Sequence, residues 1–131
     1  MTSSFAKQVA EIEKKRKEPI INVGNLDARR DFTDVRDIVR AYCMAVEKCT
    51  PGEVYNICSG RSVKMKDLLD LFLSKSKVKI KIVQDDTLLR PSDVPILVGD
   101  STKFRKITGW KPEYSLEQSS NDILNYWRSL V

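Results

Sequence analysis

Arg29, Arg30 and Asp31 stand side by side in GNLDARRDFTDVRD (residues 24–37), with Asp34, Arg36 and Asp37 close behind. A guanidinium presents a planar fork of donors that meets two oxygens of a phosphate at once, and a neighbouring carboxylate can fix its rotamer beforehand. The chemistry on offer is the clamping of an anion. The ordinary alternative is a solvated arginine–aspartate pair, but this group falls between an apolar strand and a helix start. Ligands of open α/β sheets collect at such edges. A second group, Arg90 and Asp93, lies in LRPSDVP (89–95), where two prolines stiffen the backbone and present Arg90 at little entropic cost. Its alternative is a connector with one solvated charge. Asn25 can reach a ligand or satisfy its own turn. Asn56, inside an apolar run, reads as a structural hydrogen-bond hub, and Trp110 as a core or lid aromatic.

Bond-breaking chemistry is harder to find. The chain has no histidine, which removes the commonest general base. Tyr42, Tyr55, Tyr114 and Tyr126 have no lysine four positions further on. Cys43, Cys49 and Cys58 show no CxxC spacing, and a zinc site would need carboxylates to complete it. The expectation is therefore no metal, no catalytic residue and, for this chain by itself, no turnover. The three cysteines are expected in or near the core.

The 131 residues suit one domain, and 41% hydrophobic with 31% charged residues describes a soluble globular chain. The net charge of +5 favours an anionic ligand or partner. The basic residues interleave with acids (EIEKKRKE, 11–18) or with apolar residues (KSKVKIK, 75–81), without the aromatic-laced stripe of a nucleic-acid binder. No apolar run nears the roughly 20 residues of a membrane span. An odd cysteine count and the lack of a signal peptide give the expectation of a reduced, cytoplasmic setting.

Several elements must position these residues. Residues 2–17 read as a helix with Phe5, Val9 and Ile12 on one face, capped by Ser3 or Ser4 and ended by Pro19. IINV (20–23) reads as a strand. Thr33 or Asp34 caps a second helix whose buried stripe is Val35, Ile38, Val39, Tyr42 and Val46. EVYNIC (53–58) reads as a strand, 66–76 as a buried helix, VKIKIV (78–83) as a strand with one exposed face, and ILVG (96–99) as a last strand. Ser101 or Thr102 starts a short helix closed by Gly109, and SLEQ (115–118) is a capping box opening the final helix. The order is mixed α/β, with helices layered on a parallel or mixed sheet.

Three stretches, GNLDARRDFTDVRDIVRAY, GEVYNICSGRSVKMKDLLDL and LRPSDVPILVGDSTKFRKITGWKPEYSLEQ, resemble in order and spacing the carboxy-terminal part of nucleotide-sugar enzymes of the extended short-chain dehydrogenase/reductase family. Within it, RDFTDVRD is nearer to the GDP-4-keto-6-deoxy-D-mannose reductase branch than to the GDP-mannose 4,6-dehydratase branch. The resemblance implies an α/β fold, the carboxy-terminal part of an NAD(P)-binding Rossmann-type unit. Residues 1–131 would be the nucleotide-sugar binding portion, including late strands of the Rossmann sheet. It implies diphosphate contacts from Arg30 and Arg90, a ribose contact from Asp93, and nucleotide contacts from Asn25 and Leu26. Asp34 and Asp37 would cap the helix or orient Arg30 and Arg36. The implied cofactor is NADP or NAD, yet the family's GxxGxxG turn and Tyr-x-x-x-Lys pair do not occur in this sequence. The chain is therefore expected to start after the glycine-rich half, and its partners to be a GDP-sugar and either that half or a second copy. A non-catalytic nucleotide-binding module is the alternative from a different class.

Overall fold

The computed structural model describes residues 2–89 and 94–131. Helix α1 (Thr2–Glu13) starts before Ser3 and Ser4, so neither serine is its cap. It stops four residues short of the sequence expectation because Lys15 turns left-handed (φ 57°). The amides of Lys15 and Arg16 then reach back to the carbonyls of Ile12 and Glu11 (both 2.9 Å), a Schellman closure with lysine in the place glycine usually takes.

Strand β1 (Ile20–Val23) falls where the apolar run predicts it. It pairs in parallel with β4 (Lys81–Gln84), Ile20 opposite Lys81 and Val23 opposite Gln84. A second, three-stranded sheet has β2 (Arg29–Asp31) at its centre, antiparallel to β3 (Ser62–Lys64) and parallel to β5 (Ile96–Leu97). Helix α2 (Val35–Lys48) follows β2, α3 (Met65–Ser74) continues directly from β3, and α4 (Thr102–Thr108) follows β5. Helix α5 (Leu116–Leu130) opens with the expected reciprocal bonds between Ser115 and Gln118. Gly109 ends α4 in the left-handed conformation (φ 73°), where a side chain would be strained.

The main core gathers Phe5, Val9 and Ile12 of α1, Ile21 and Val23 of β1, Leu68, Leu69 and Phe72 of α3, and Leu124 of α5. A separate cluster lies under α2 and α4, where Ala41, Phe104 and Trp110 are buried and the rings of Phe104 and Trp110 meet edge to face at 5.8 Å. Trp110 is thus a core residue, held by a bond from its indole nitrogen to the Asp37 carbonyl (3.0 Å).

The structure departs further from the sequence reading at residues 53–58, the α2 stripe, the cysteines and Asn56. Residues 53–58 join no sheet among the described residues. The stripe Val35, Val39, Tyr42 and Val46 of α2 is exposed, and only Ile38 of that set is half-buried, because α2 turns Asp37 and Ala41 towards its neighbours instead. Cys43 is exposed, and Cys49 and Cys58 are half-buried. Asn56 is exposed and anchors nothing in the interior.

Charge is segregated. Where α1, α3 and α5 end and β1 and β4 begin, Lys14, Lys15, Arg16, Lys17, Lys75, Lys77, Lys79, Lys81 and Arg128 gather, with Glu13 and Glu18 as the acids of the same segments. Of the 23 basic and 18 acidic residues, nine and two are therefore here, leaving fourteen against sixteen elsewhere. Along β4, whose one ladder among the described residues is to β1, such lysines also discourage edge-to-edge pairing.

Candidate nucleotide-sugar site

Among the described residues, no helix is long and apolar enough to cross a membrane, and no group of three His, Cys, Asp or Glu side chains could hold a metal. The interest lies in the arginines. Their polar run is itself a strand, and its ladder explains why three charged residues hold an extended conformation: Arg30 lies opposite Val63 on one side and Leu97 on the other.

Each arginine has a distinct post. Arg29 donates from Nε to Ser62 Oγ (2.7 Å) and from Nη2 to the Ser62 carbonyl (3.0 Å), which fixes β3 to β2. Arg36 lies across the Tyr114 ring (3.7 Å to its centre) and meets both oxygens of Asp34 (2.8 Å each) and Asp122 (2.9 Å). Asp34 also accepts from the Arg36 amide and so caps α2, as the sequence suggests. The Arg36 guanidinium beside Asp34 holds that carboxyl well below the usual carboxylate range. Arg40 is held by Asp37, the Lys111 carbonyl and Glu113. Asp37 therefore serves Arg40 and the chain at 113–114 rather than Arg30 or Arg36.

Arg30 sends Nη1 to the carbonyls of Arg29 (2.8 Å) and Val94 (2.7 Å). The second bond ties β2 to the segment that leads out of LRPSDVP. Arg90 and Asp93 themselves lie outside the described residues. Asn25 follows the carboxyl end of β1, where its Oδ1 accepts from the Asp27 amide (2.9 Å) and shapes its own turn. Leu26 packs its side chain against the main core and accepts from the Lys66 amide at its carbonyl (3.0 Å).

One carboxylate that the sequence paired only with its neighbouring arginines proves to be a junction. Asp31 accepts from the amides of Ser59 (3.1 Å), Gly60 (2.8 Å) and Gly99 (3.3 Å), and from the Ser59 hydroxyl. Three distant stretches of chain are joined there, beside Arg30. At this junction Gly99 admits no side chain: a Cβ would stand 2.6 Å from Cys58 Sγ and 2.9 Å from Cys58 Cβ. Gly99→Ala should cost about 2 kcal/mol, the usual scale of overpacking, read from the urea midpoint. Adding Cys58→Gly should return part of the loss. A Gly99→Ala chain as stable as the parent would mean that positions 58 and 99 are not pressed together.

Gly24 does not fit the part of a phosphate-binding glycine. Gly24 follows β1, as a phosphate-binding glycine follows a strand, but a Cβ there would stand 2.7 Å from the Leu88 carbonyl oxygen. Gly24 thus serves a chain crossing. A cavity of about 580 Å³ lies elsewhere, between the start of α1, residues 32–36 and α5, lined by Phe32, Asp34, Val35, Ser120, Tyr126 and Trp127 among others. Among the described residues, the buried Ser120 hydroxyl finds no hydrogen-bond partner, and nothing in its local sequence signals this.

With this geometry in view, the fold and its relatives define the class as NAD(P)-binding nucleotide-sugar enzymes of the short-chain dehydrogenase/reductase type, of which the chain forms the carboxy-terminal part. The family profile described as GDP-mannose 4,6 dehydratase matches residues 1–123. The chain belongs to that family. It is 35% identical over 129 residues to the GDP-6-deoxy-D-mannose reductase of Pseudomonas aeruginosa, which covers 98% of this chain and 42% of the relative. Identity to the GDP-mannose 4,6-dehydratase of Sinorhizobium fredii is 26% over 127 residues, 82% of this chain and 36% of the relative. The solved structure of RMD from Pseudomonas aeruginosa complexed with NADPH superposes with a TM-score of 0.92 at 35% identity, over 99% of this chain and 43% of that one. The chain thus spans less than half the length of these relatives.

Proposed function

We propose that the chain is the nucleotide-sugar binding portion of an NAD(P)-dependent GDP-4-keto-6-deoxy-D-mannose reductase, with a GDP-mannose 4,6-dehydratase or another NAD-dependent epimerase/dehydratase as the second reading. The observation that carries the proposal is Arg30, set in a central strand and bonded to the carbonyl of Val94, the residue that follows Asp93 in the sequence. In this reading Arg30 and Arg90 grip the diphosphate, Asp93 meets the ribose, and the turn at Asn25 and Leu26 borders the nucleotide. Asp31 is a positioning residue: it holds the loops at 59–60 and 99 against β2 and so fixes where Arg30 starts. The resemblance of RDFTDVRD and the name of the 35% identical relative support the reductase over the dehydratase. The chain's residues bind and orient the sugar nucleotide. Redox chemistry at the hexose C4 falls to the part of the enzyme that holds NADP(H).

The test is calorimetric titration of the purified chain with GDP-mannose, beside UDP-glucose. Saturable binding selective for the GDP-sugar is expected, with affinity falling at least about tenfold, or about 1.4 kcal/mol, in Arg30→Ala. Lys79→Ala, an exposed lysine of the basic end, should leave it unchanged. Equal losses from the two variants would indicate diffuse charge attraction and defeat the clamp.

A further inference from the structure

The sugar-nucleotide reading leaves the basic end of the molecule unexplained. Helix dipoles account for part of it. Lys14 and Lys75 adjoin the carboxyl ends of α1 and α3, and Arg128 lies in the last turn of α5. Lys15, Arg16 and Lys17 lie beyond, in the turn before β1, while Lys77, Lys79 and Lys81 lead into β4. All six are exposed. Lys14, Lys15, Arg16, Lys79 and Lys81 form no ion pair with any described residue.

Several of these charges rim a cavity of about 520 Å³ between the turn and Val78. Its apolar walls are Ile12, Pro19 and Val78, the last 40% exposed, and Lys15, Arg16 and Lys17 line it beside them. Glu13 and Glu18 are its acids. Glu13 is already engaged, for Arg128 holds both its oxygens (2.7 Å each) and the Lys77 amide holds one of them (3.0 Å). Glu18 alone is left to oppose three cations. The turn itself is tied down, with the amides of Lys15, Arg16 and Ile20 reaching the carbonyls of Ile12, Glu11 and Glu18. Lys15 holds the left-handed conformation that favours glycine (φ 57°), yet a cationic side chain stands there, at the rim.

We propose that this end docks an acidic polypeptide segment of a partner protein, one that carries an apolar side chain among its carboxylates. The apolar side chain packs against Ile12, Pro19 and Val78. The carboxylates meet Lys15, Arg16 and Lys17 on one side, and Lys77 and Lys79, which flank Val78, on the other. Arg16 offers one of them a planar fork. The composition of the site favours a peptide over other anions. Single-stranded nucleic acid binds by stacking on aromatic side chains, and residues 12–19 and 75–81 contain none. A lipid surface attracts a basic face without using a recess, whereas an apolar recess suits a side chain. Neither this surface nor its test involves the sugar nucleotide.

The probes are fluorescent peptides with a run of glutamates on either side of a central leucine or a central serine, and binding is read by anisotropy. The leucine peptide should bind saturably, and less tightly as salt rises. The serine peptide should bind at least about tenfold more weakly, since it buries no apolar side chain. Lys15→Glu with Lys17→Glu should weaken the leucine peptide at least about tenfold, and so, separately, should Val78→Asp. Lys106→Glu with Lys111→Glu makes the same change of charge at exposed residues elsewhere and should weaken it less than about twofold. Urea midpoints check that each variant is folded. No saturable binding, equal affinity for the two peptides, or equal losses from the two lysine pairs would overturn the proposal. Tighter binding of a DNA oligomer or of phosphatidylglycerol vesicles would overturn it too, and would name the occupant instead.

Discussion

Asp37→Ala should cost about 4 kcal/mol, a large part of the roughly 5–15 kcal/mol that holds a domain of this size. The carboxylate is fully buried and accepts from the Glu113 and Tyr114 amides (3.1 Å each) and from Arg40 Nη2 (2.8 Å). Alanine would strand the two amides and take from Arg40 one of its three partners, and a buried donor without an acceptor costs its full desolvation. Asp37→Asn keeps one acceptor oxygen and should cost about half as much. Burial pushes the Asp37 carboxyl up, but the bonds from Arg40, Tyr114 and Glu113 outweigh it and hold it below the ordinary range. Asp34 and Glu13 are lowered too, each by an arginine. A carboxyl lowered in the folded state contributes stability that is complete above its unfolded value, roughly 4, and that disappears as pH falls through the folded value. Urea midpoints should therefore be flat from pH 7 to about 5 and fall below about 4, less steeply in Asp37→Asn. An unchanged midpoint at pH 3 would refute the assignment of these carboxylates as held anions.

Arg128→Ala should cost about 3 kcal/mol. Its Nε and Nη2 meet the two oxygens of Glu13 (2.7 Å each), Nη2 also reaches the Lys75 carbonyl (2.8 Å), and Nη1 reaches Asn125 (3.1 Å). One side chain thus binds the ends of α1, α3 and α5. The Glu13 side chain is 7% exposed against 21% for Arg128, so water cannot replace the lost partner, and the Lys77 amide would be its remaining support. Removing one member of such a pair costs more than removing both. Glu13→Leu with Arg128→Met should recover at least half the loss in the urea midpoint. Losses that simply add would class the pair with solvated surface bridges, worth about 0–1 kcal/mol.

The sequence made β1, the Asp34 cap, the Ser115–Gln118 box and the Gly109 stop legible because each is a local device, decided within a few residues. It hid β2 and β3 because Arg29–Asp31 and Ser62–Lys64 are short and polar, and their extended form depends on partners about thirty residues away. The α2 stripe was read with correct periodicity, but the structure leaves Val35, Val39, Tyr42 and Val46 exposed. Apolar spacing marks a face and carries no information on what that face meets. The same holds for 53–58, strand-like in alternation and without a ladder. At the site, fork chemistry marked Arg29, Arg30 and Asp31 as a group and the family resemblance alone chose Arg30, whereas the duties of Arg29 and Asp31 depend on Ser62, Ser59 and Gly99, which no local pattern ties to them.

The gathering of cations where β1 and β4 begin gives the chain a strong electric dipole whose positive pole points away from the turn at Asn25. On the proposed reading, a sugar nucleotide would feel its strongest long-range pull towards that basic end rather than towards the arginines, because charge over the rest of the sequence nearly cancels. Capture would depend on collision and close fit rather than on steering, and its rate would vary only gently with ionic strength.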